Sequence, residues 1–232
     1  MSSLFVRKNG FTLVELMVAL FLGTIAATGI YKTYVSYSTA ADTHEQALEL
    51  QQNLRVSMSY MEKEIRMAGF DPTESGLAGF FATTGDSSIR FKMDLNKDGD
   101  VNDQGEDVGY FVAGPDGDGL YGLCRTDFKP SVSTRYINKN MDPPAAGVMP
   151  LNFVYFETTA PLTTPVTGGD LEKIKVVEIS MVLRSANKDH SYTNTNSYTN
   201  LQGTQIVAAQ NDGYYRRRVT AMVNVRNMGL SD

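Results

Sequence analysis

The chain has 232 residues, 42% of them apolar, enough for one ordinary domain with a real core plus an appendage, which excludes a disordered tail. Its 21 basic residues stand against 26 acidic ones, and the resulting net charge of −5 has the wrong sign for a nucleic-acid-binding face. The single cysteine, Cys124, excludes an internal disulfide, and within the run Leu120-Tyr121-Gly122-Leu123-Cys124 it reads as a small buried hydrophobe.

Residues 1–10 carry Arg7 and Lys8 but lack the apolar core that an ordinary secretory signal places before its cleavage site. The apolar segment begins after Gly10 instead, and from Leu13 to Ile30 its one ionisable residue is Glu15. Phe11 to Tyr31 spans 21 residues, close to what a helix needs to cross a bilayer, and the two preceding cations bias that end towards the cytoplasm. A carboxylate at the centre of such a span costs about 2.5–3.5 kcal/mol, and less near its edge. Glu15 therefore requires either an interfacial, solvated position or a partner of opposite charge.

The string Lys8-Asn9-Gly10-Phe11-Thr12-Leu13-Val14-Glu15-Leu16 resembles the class III signal of the type IV pilin and type II secretion pseudopilin superfamily. The resemblance implies that a prepilin peptidase cuts after Gly10 and methylates the new terminus on Phe11. It further implies that Glu15 pairs with the terminal ammonium of a neighbouring subunit, two charges that lipid tolerates better together than apart. The implied partners are that peptidase, other major and minor pilins met through the N-terminal helix, and the inner membrane. The implied location is a single-pass inner-membrane protein with a periplasmic head, which enters a pilus or pilus-like filament on assembly.

Beyond the span, Leu54, Met58, Met61, Ile65 and Ala68 recur at helical spacing and form one apolar stripe. Gly69 followed by Phe70, Asp71 and Pro72 is a stop signal, so an unbroken helix from Phe11 to Gly69 would run about 88 Å. Strand-like segments follow at Ile89–Met93, Val108–Ala113, Leu120–Arg125, Leu151–Glu157, Ile174–Arg184 and Arg218–Arg226, several alternating as antiparallel strands with one buried face. The expected fold class is α+β: a long N-terminal helix packed on an antiparallel sheet. The expected divisions are a leader at 1–10, a membrane-spanning half-helix at 11–35, a periplasmic half-helix at 36–69 and a β-rich head at 70–232. Polar stretches at 73–88, 129–150, 158–169 and 185–203 read as loops, the last repeating Ser-Tyr-Thr-Asn at 191 and 197 as a solvated loop, an extended hairpin or a contact surface.

Two further segments resemble the PilW-type minor pilins. One is Glu64-Ile65-Arg66-Met67-Ala68-Gly69-Phe70 at the helix end; the other is Tyr214-Tyr215-Arg216-Arg217-Arg218-Val219 running to Val225-Arg226-Asn227. The arginine triplet, in an acidic protein, reads as solvated or ion-paired. Between strands, Asp94, Asn96, Asp98, Gly99 and Asp100 have the D-x-N-x-D-G spacing of a calcium loop, with Glu106 or Asp107 left to close the shell because Gly105 holds the twelfth position. The alternative is a solvated acidic hairpin, to which Asp116 and Asp118 add either ligands or glycine-flanked turns. Calcium is the one expected cofactor. No H-E-x-x-H, G-x-S-x-G, P-loop or cysteine pair is present, so the expectation is an assembly subunit and not an enzyme. A J-type minor pseudopilin of type II secretion and a signal-anchored, non-polymerising calcium-binding protein remain the alternatives.

Overall fold

A computed structural model describes residues 10–81, 85–144 and 148–228. The leader residues 1–9, with Arg7 and Lys8, lie outside the described residues, as do short pieces of the expected loops 73–88 and 129–150 and the end of the head at 229–232. The chain divides into two compact units, Met1–Glu45 and Gln46–Asp232. Helix α1, Leu13–Ile65, contributes to both.

In the first unit α1 begins where Thr12 caps it. The Glu15 amide donates to Thr12 Oγ1 at 3.2 Å, and Thr12 N–H donates back to Glu15 Oε2 at 3.3 Å. This reciprocal T-x-x-E exchange satisfies donors that a helix start leaves orphaned. The large apolar side chains from Leu13 to Val35 are exposed, and the apolar window of this helix has a mean hydropathy of 2.1. Among the described residues it is the one helix long and apolar enough to cross a membrane. Its threonines suit that solvent: Thr24, Thr28 and Thr33 donate their hydroxyls to the carbonyls of Phe21, Thr24 and Gly29 at 2.7–3.0 Å. No hydroxyl of these three is left for lipid to desolvate.

In the second unit the expected stripe is the buried face of α1. Leu50, Leu54, Met58, Met61, Ile65 and the following Ala68 all enter the main core. Burying each of the larger side chains contributes about 1.5–3 kcal/mol. Their partners are two antiparallel sheets. The first orders β1 (Gly79–Phe80), β2 (Ser88–Lys92), β3 (Asp107–Ala113), β4 (Gly122–Asp127) and β5 (Ser133–Tyr136) in sequence. The second places β7 (Val176–Arg184) between β6 (Leu151–Phe156) and the long final strand β10 (Arg216–Asn224). A small third sheet pairs β8 (Tyr198–Thr199) with β9 (Gln205–Val207).

The six expected strands are all present. Leu120 is excluded from β4 because its amide and carbonyl close the turn at Asp116. Strands β1, β5 and β8 arise inside expected loops; all are short, and what makes them strands is the neighbour they pair with. The alternation in β7 predicts one buried face, yet both are covered. Val177, Ile179, Met181 and Leu183 enter the main core, while Val182 packs with Ile206 and Val207. On that second face the fully buried Glu178 accepts hydrogen bonds from Ser180, the Leu201 amide and Gln202, which tie the 200–203 turn to the sheet. Cys124 is buried as expected, and burial raises its thiol pKa.

The helix ends as the sequence predicts, by tightening. Met67 and Ala68 bond three residues back to Glu64 and Ile65, and Gly69 turns left-handed at φ +76° with its N–H on the carbonyl of Lys92. A Cβ at Gly69 would stand 2.5 Å from Met228 Sδ. Gly69→Ala is therefore expected to destabilise the protein by about 1–3 kcal/mol, read as a lowered Tm of the detergent-solubilised full chain.

Candidate functional site

Three groups of residues carry the sequence-derived expectations. The first is the N-terminal segment. Gly10 and Phe11 are exposed, and among the described residues a Cβ on Gly10 would meet nothing within 4 Å, so no packing there demands glycine. Glu15 stands in the capping exchange with Thr12, one turn from Phe11, where the positive end of the helix dipole also favours its charge.

The second is the helix end, where segments far apart in sequence meet. Glu64 accepts a hydrogen bond from the Tyr110 hydroxyl at 2.6 Å and receives Arg125 Nε at 3.0 Å on both carboxylate oxygens. It thereby ties α1 to β3 and β4. Burial, reinforced by the Glu64 charge, pushes the Tyr110 phenol far above its ordinary pKa, so it stays a donor. Arg125 also approaches Asp127 at 3.6 Å. One residue on, Ile65 is fully buried, and Asn227 reaches back to the Met67 carbonyl at 3.5 Å. The two segments that resemble PilW-type minor pilins thus meet at this joint, through Asn227 and Met67. The arginine triplet divides: Arg216 is buried and makes bidentate hydrogen bonds to Asp142 at 2.8 Å and to Asp212 at 2.6 and 2.8 Å, whereas Arg217 and Arg218 are exposed. Its neighbour Tyr215 stacks on Tyr192 of the polar repeat, with ring centroids 4.3 Å apart.

The third is the acidic loop between β2 and β3. Asp98, Asp100 and Asp103 each bring a carboxylate oxygen within 4.8 Å of the others, a spacing at which one cation reaches all three. Asp103 lay outside the expected ligand set; its signal was only the density of acids, because the alternate-position spacing points to Asn102 instead. Asn96 binds inside this group, donating to Asp98 and Asp103 at 2.9 and 2.7 Å. The Asp100 amide and then the Asn96 side chain hold the Asp98 carboxyl below its ordinary pKa. The other three expected residues stand elsewhere. Asp94 is buried and accepts the amides of Lys97 and Gly99, closing the turn. Glu106 accepts the amides of Leu95, Asn96 and Asp103. Asp107 makes a bidentate ion pair with Arg90 at 2.7 Å, with that guanidinium lying over the rings of Phe81 and Phe128. Asp116 closes its own turn and pairs with Lys139 at 2.8 Å.

Three family models match the chain. Residues 6–31 match the prokaryotic N-terminal methylation motif, residues 43–118 match prepilin peptidase-dependent protein B, and residues 146–227 match type IV pilus-assembly protein W. No curated protein and no solved structure gives a match. Together with a long apolar N-terminal helix and antiparallel sheets, these matches define the chain as type IV pilin-like. Within that class it resembles the PilW-type minor pilins, whose matched segment runs from before β6 through β10 to Asn227. The matched families point to a structural, non-enzymatic protein anchored in a membrane.

If Glu64 pins the joint, Glu64→Ala strands Arg125 with Asp127 alone and is expected to cost about 2–4 kcal/mol. Arg66→Ala, on the exposed face of the same turn, should stay within about 0.5 kcal/mol. Denaturant unfolding of the two variants beside the parent chain measures the contrast.

Proposed function

We propose that this protein is a minor type IV pilin of the PilW kind, processed by prepilin peptidase between Gly10 and Phe11 and then taken into a pilus or the complex that initiates one. The observation that carries the reading is the match of residues 6–31 to the N-terminal methylation motif, with Glu15 set one turn into a helix whose large apolar side chains are exposed. Glycine before the cut serves the peptidase, since nothing among the described residues crowds that position. Cleavage creates an ammonium on Phe11. Before assembly Glu15 rests on Thr12, a neutral partner that offsets little of the cost of a carboxylate in lipid. A neighbouring subunit's ammonium neutralises that charge, so the subunit is drawn to the register at which the two meet. The apolar face of α1 from Leu13 to Val35 then exchanges lipid for neighbouring helices. The proposed location is a single-pass inner-membrane protein with a periplasmic head until it joins the filament.

Mass spectrometry of the mature terminus tests the processing step. The expected species begins at an N-methylated Phe11; a retained leader or a cut elsewhere overturns the reading. The Glu15→Ala variant is expected to be inserted and cleaved normally yet to enter filaments at least tenfold less than the parent, measured by immunoblot of sheared pili.

For the head we infer that the acidic loop takes calcium, with Asp98, Asp100 and Asp103 as the core of the site. The support is their mutual reach and the repulsion that three close carboxylates otherwise carry. Such an ion would order the loop that links β2 to β3. Calcium at about one hundred times its Kd is expected to raise the Tm of the full chain by about 5–10 °C. Asp98→Ala and Asp103→Ala should each abolish the rise, and a parent chain that shows none has no such site.

A further inference from the structure

The second sheet ends on an edge that nothing in the described chain pairs. In the register between β10 and β7, Val225 donates to the Lys175 carbonyl and Ser185 to the Tyr215 carbonyl, so odd-numbered residues of β10 direct their backbone at β7. The amides and carbonyls of Arg218, Thr220, Met222 and Asn224 therefore point outward. Among the described residues no backbone partner meets them, and only the start of the strand is covered, where the Tyr198 hydroxyl donates to the Arg216 carbonyl and the Arg218 guanidinium to that of Thr199. The remaining edges are short or engaged. Strands β1 and β5 have two and four residues, and β6 is bridged by Phe153 N–H to Asp86 and by Leu162 N–H to Tyr155. Strand β10 runs nine residues with unbroken register and no proline, and Met222 on it is 57% exposed. A long, partly apolar edge of this kind invites pairing unless a partner covers it.

Beside the edge lies a groove of about 450 Å³ between α1 and β10, with Leu54, Met58 and Val219 as apolar lining. Arg55, Arg217 and Arg218 also line it, against one acid, Glu62. Arg55 and Arg217 are exposed and have no acidic partner among the described residues, in a chain whose overall charge is −5. A strand added along β10 places every second side chain on the face shared by Arg217, Val219 and Ala221, which is the side of the groove. A second copy of this chain, pairing β10 with β10, would bring no acid to Arg55 and Arg217, because Arg216–Asn224 contains none, which works against self-pairing.

We propose that the free edge of β10 is a strand-addition site for an extended segment of another polypeptide, whose groove-side positions alternate acidic and apolar residues. Its backbone completes the sheet, its acids meet Arg55 and Arg217, and its apolar residue lies on Leu54 and Met58. The proposal stands on the head alone and is independent of how the amino terminus is processed.

The probe is a synthetic heptapeptide in which threonine alternates with Asp, Val and Asp, compared with a peptide carrying Lys for Asp, both titrated onto the detergent-solubilised full chain. The acidic peptide is expected to bind at least tenfold more tightly than the basic one and to slow amide exchange at Thr220, Met222 and Asn224 at least tenfold. Arg217→Glu should remove at least tenfold of that affinity, and Met222→Pro, which deletes one outward N–H and none directed at β7, should abolish the protection. Should Met222→Pro fail to fold, the Arg217→Glu titration and the exchange pattern of the parent chain decide alone. Equal affinity for both peptides, binding without protection at these three amides, or protection that rises with protein concentration in the absence of peptide overturns the proposal, the last by making the occupant a second copy.

Discussion

Glu64 is the point at which a long helix is committed to a sheet. A helix whose core contacts are Leu54, Met58, Met61 and Ile65 can slide or rotate on a flat apolar surface at modest cost, because methionines in particular refill gaps. A carboxylate that must accept from Tyr110 on β3 and Arg125 on β4 allows one register and one rotation. Everything downstream inherits that setting. The left-handed turn at Gly69, its bond to Lys92, and the bond from Asp94 N–H to the Phe70 carbonyl carry the helix end directly into the acidic loop. Thr73 on the same turn reaches the Asp94 carboxylate at 3.2 Å, so the loop is anchored at its base by the joint itself.

The head places its costly polar groups where they define connections. Arg216 is buried between Asp142 and Asp212, joining the start of β10 to the segment before β6. Glu178 is buried without a cation and is satisfied instead by Ser180, Leu201 and Gln202. Asn200 donates to Asn152 inside the same region. Each of these groups would be expensive if left alone, so each restricts the chain to conformations that satisfy it. That is how a segment as polar as 185–203 comes to be folded against the sheet: its Tyr-Thr pair at 198 enters β8, while Tyr192 of the other copy stacks on Tyr215.

The amino-terminal segment and the head answer to different solvents. In the first unit hydroxyls fold back onto helix carbonyls and apolar side chains face outward; in the second, apolar side chains face inward and buried charges such as Glu178 and Arg216 are held by hydrogen bonds. Helix α1 supplies residues to both, and its large apolar side chains change from exposed to buried along its length.

The sequence alone determined the elements governed by local periodicity and local chemistry. The apolar run after Gly10, the isolated Glu15, the stripe from Leu54 to Ala68, the stop at Gly69 and six strands were all legible, because a period of two or of 3.6 and a glycine followed by proline are properties of neighbouring residues. The turn-forming part of the acidic loop was legible for the same reason. Tertiary structure decided the rest. That Glu64 bonds Tyr110 and Arg125, that Asn227 meets Met67, that Asp103 joins Asp98 and Asp100 while Asp107 goes to Arg90, and that β7 is covered on both faces are all outcomes of pairing between segments tens of residues apart. A carboxylate carries no mark of the partner it will meet. Which cation or amide satisfies it is fixed by the register of the strands, and that register is set by the packing of the whole core.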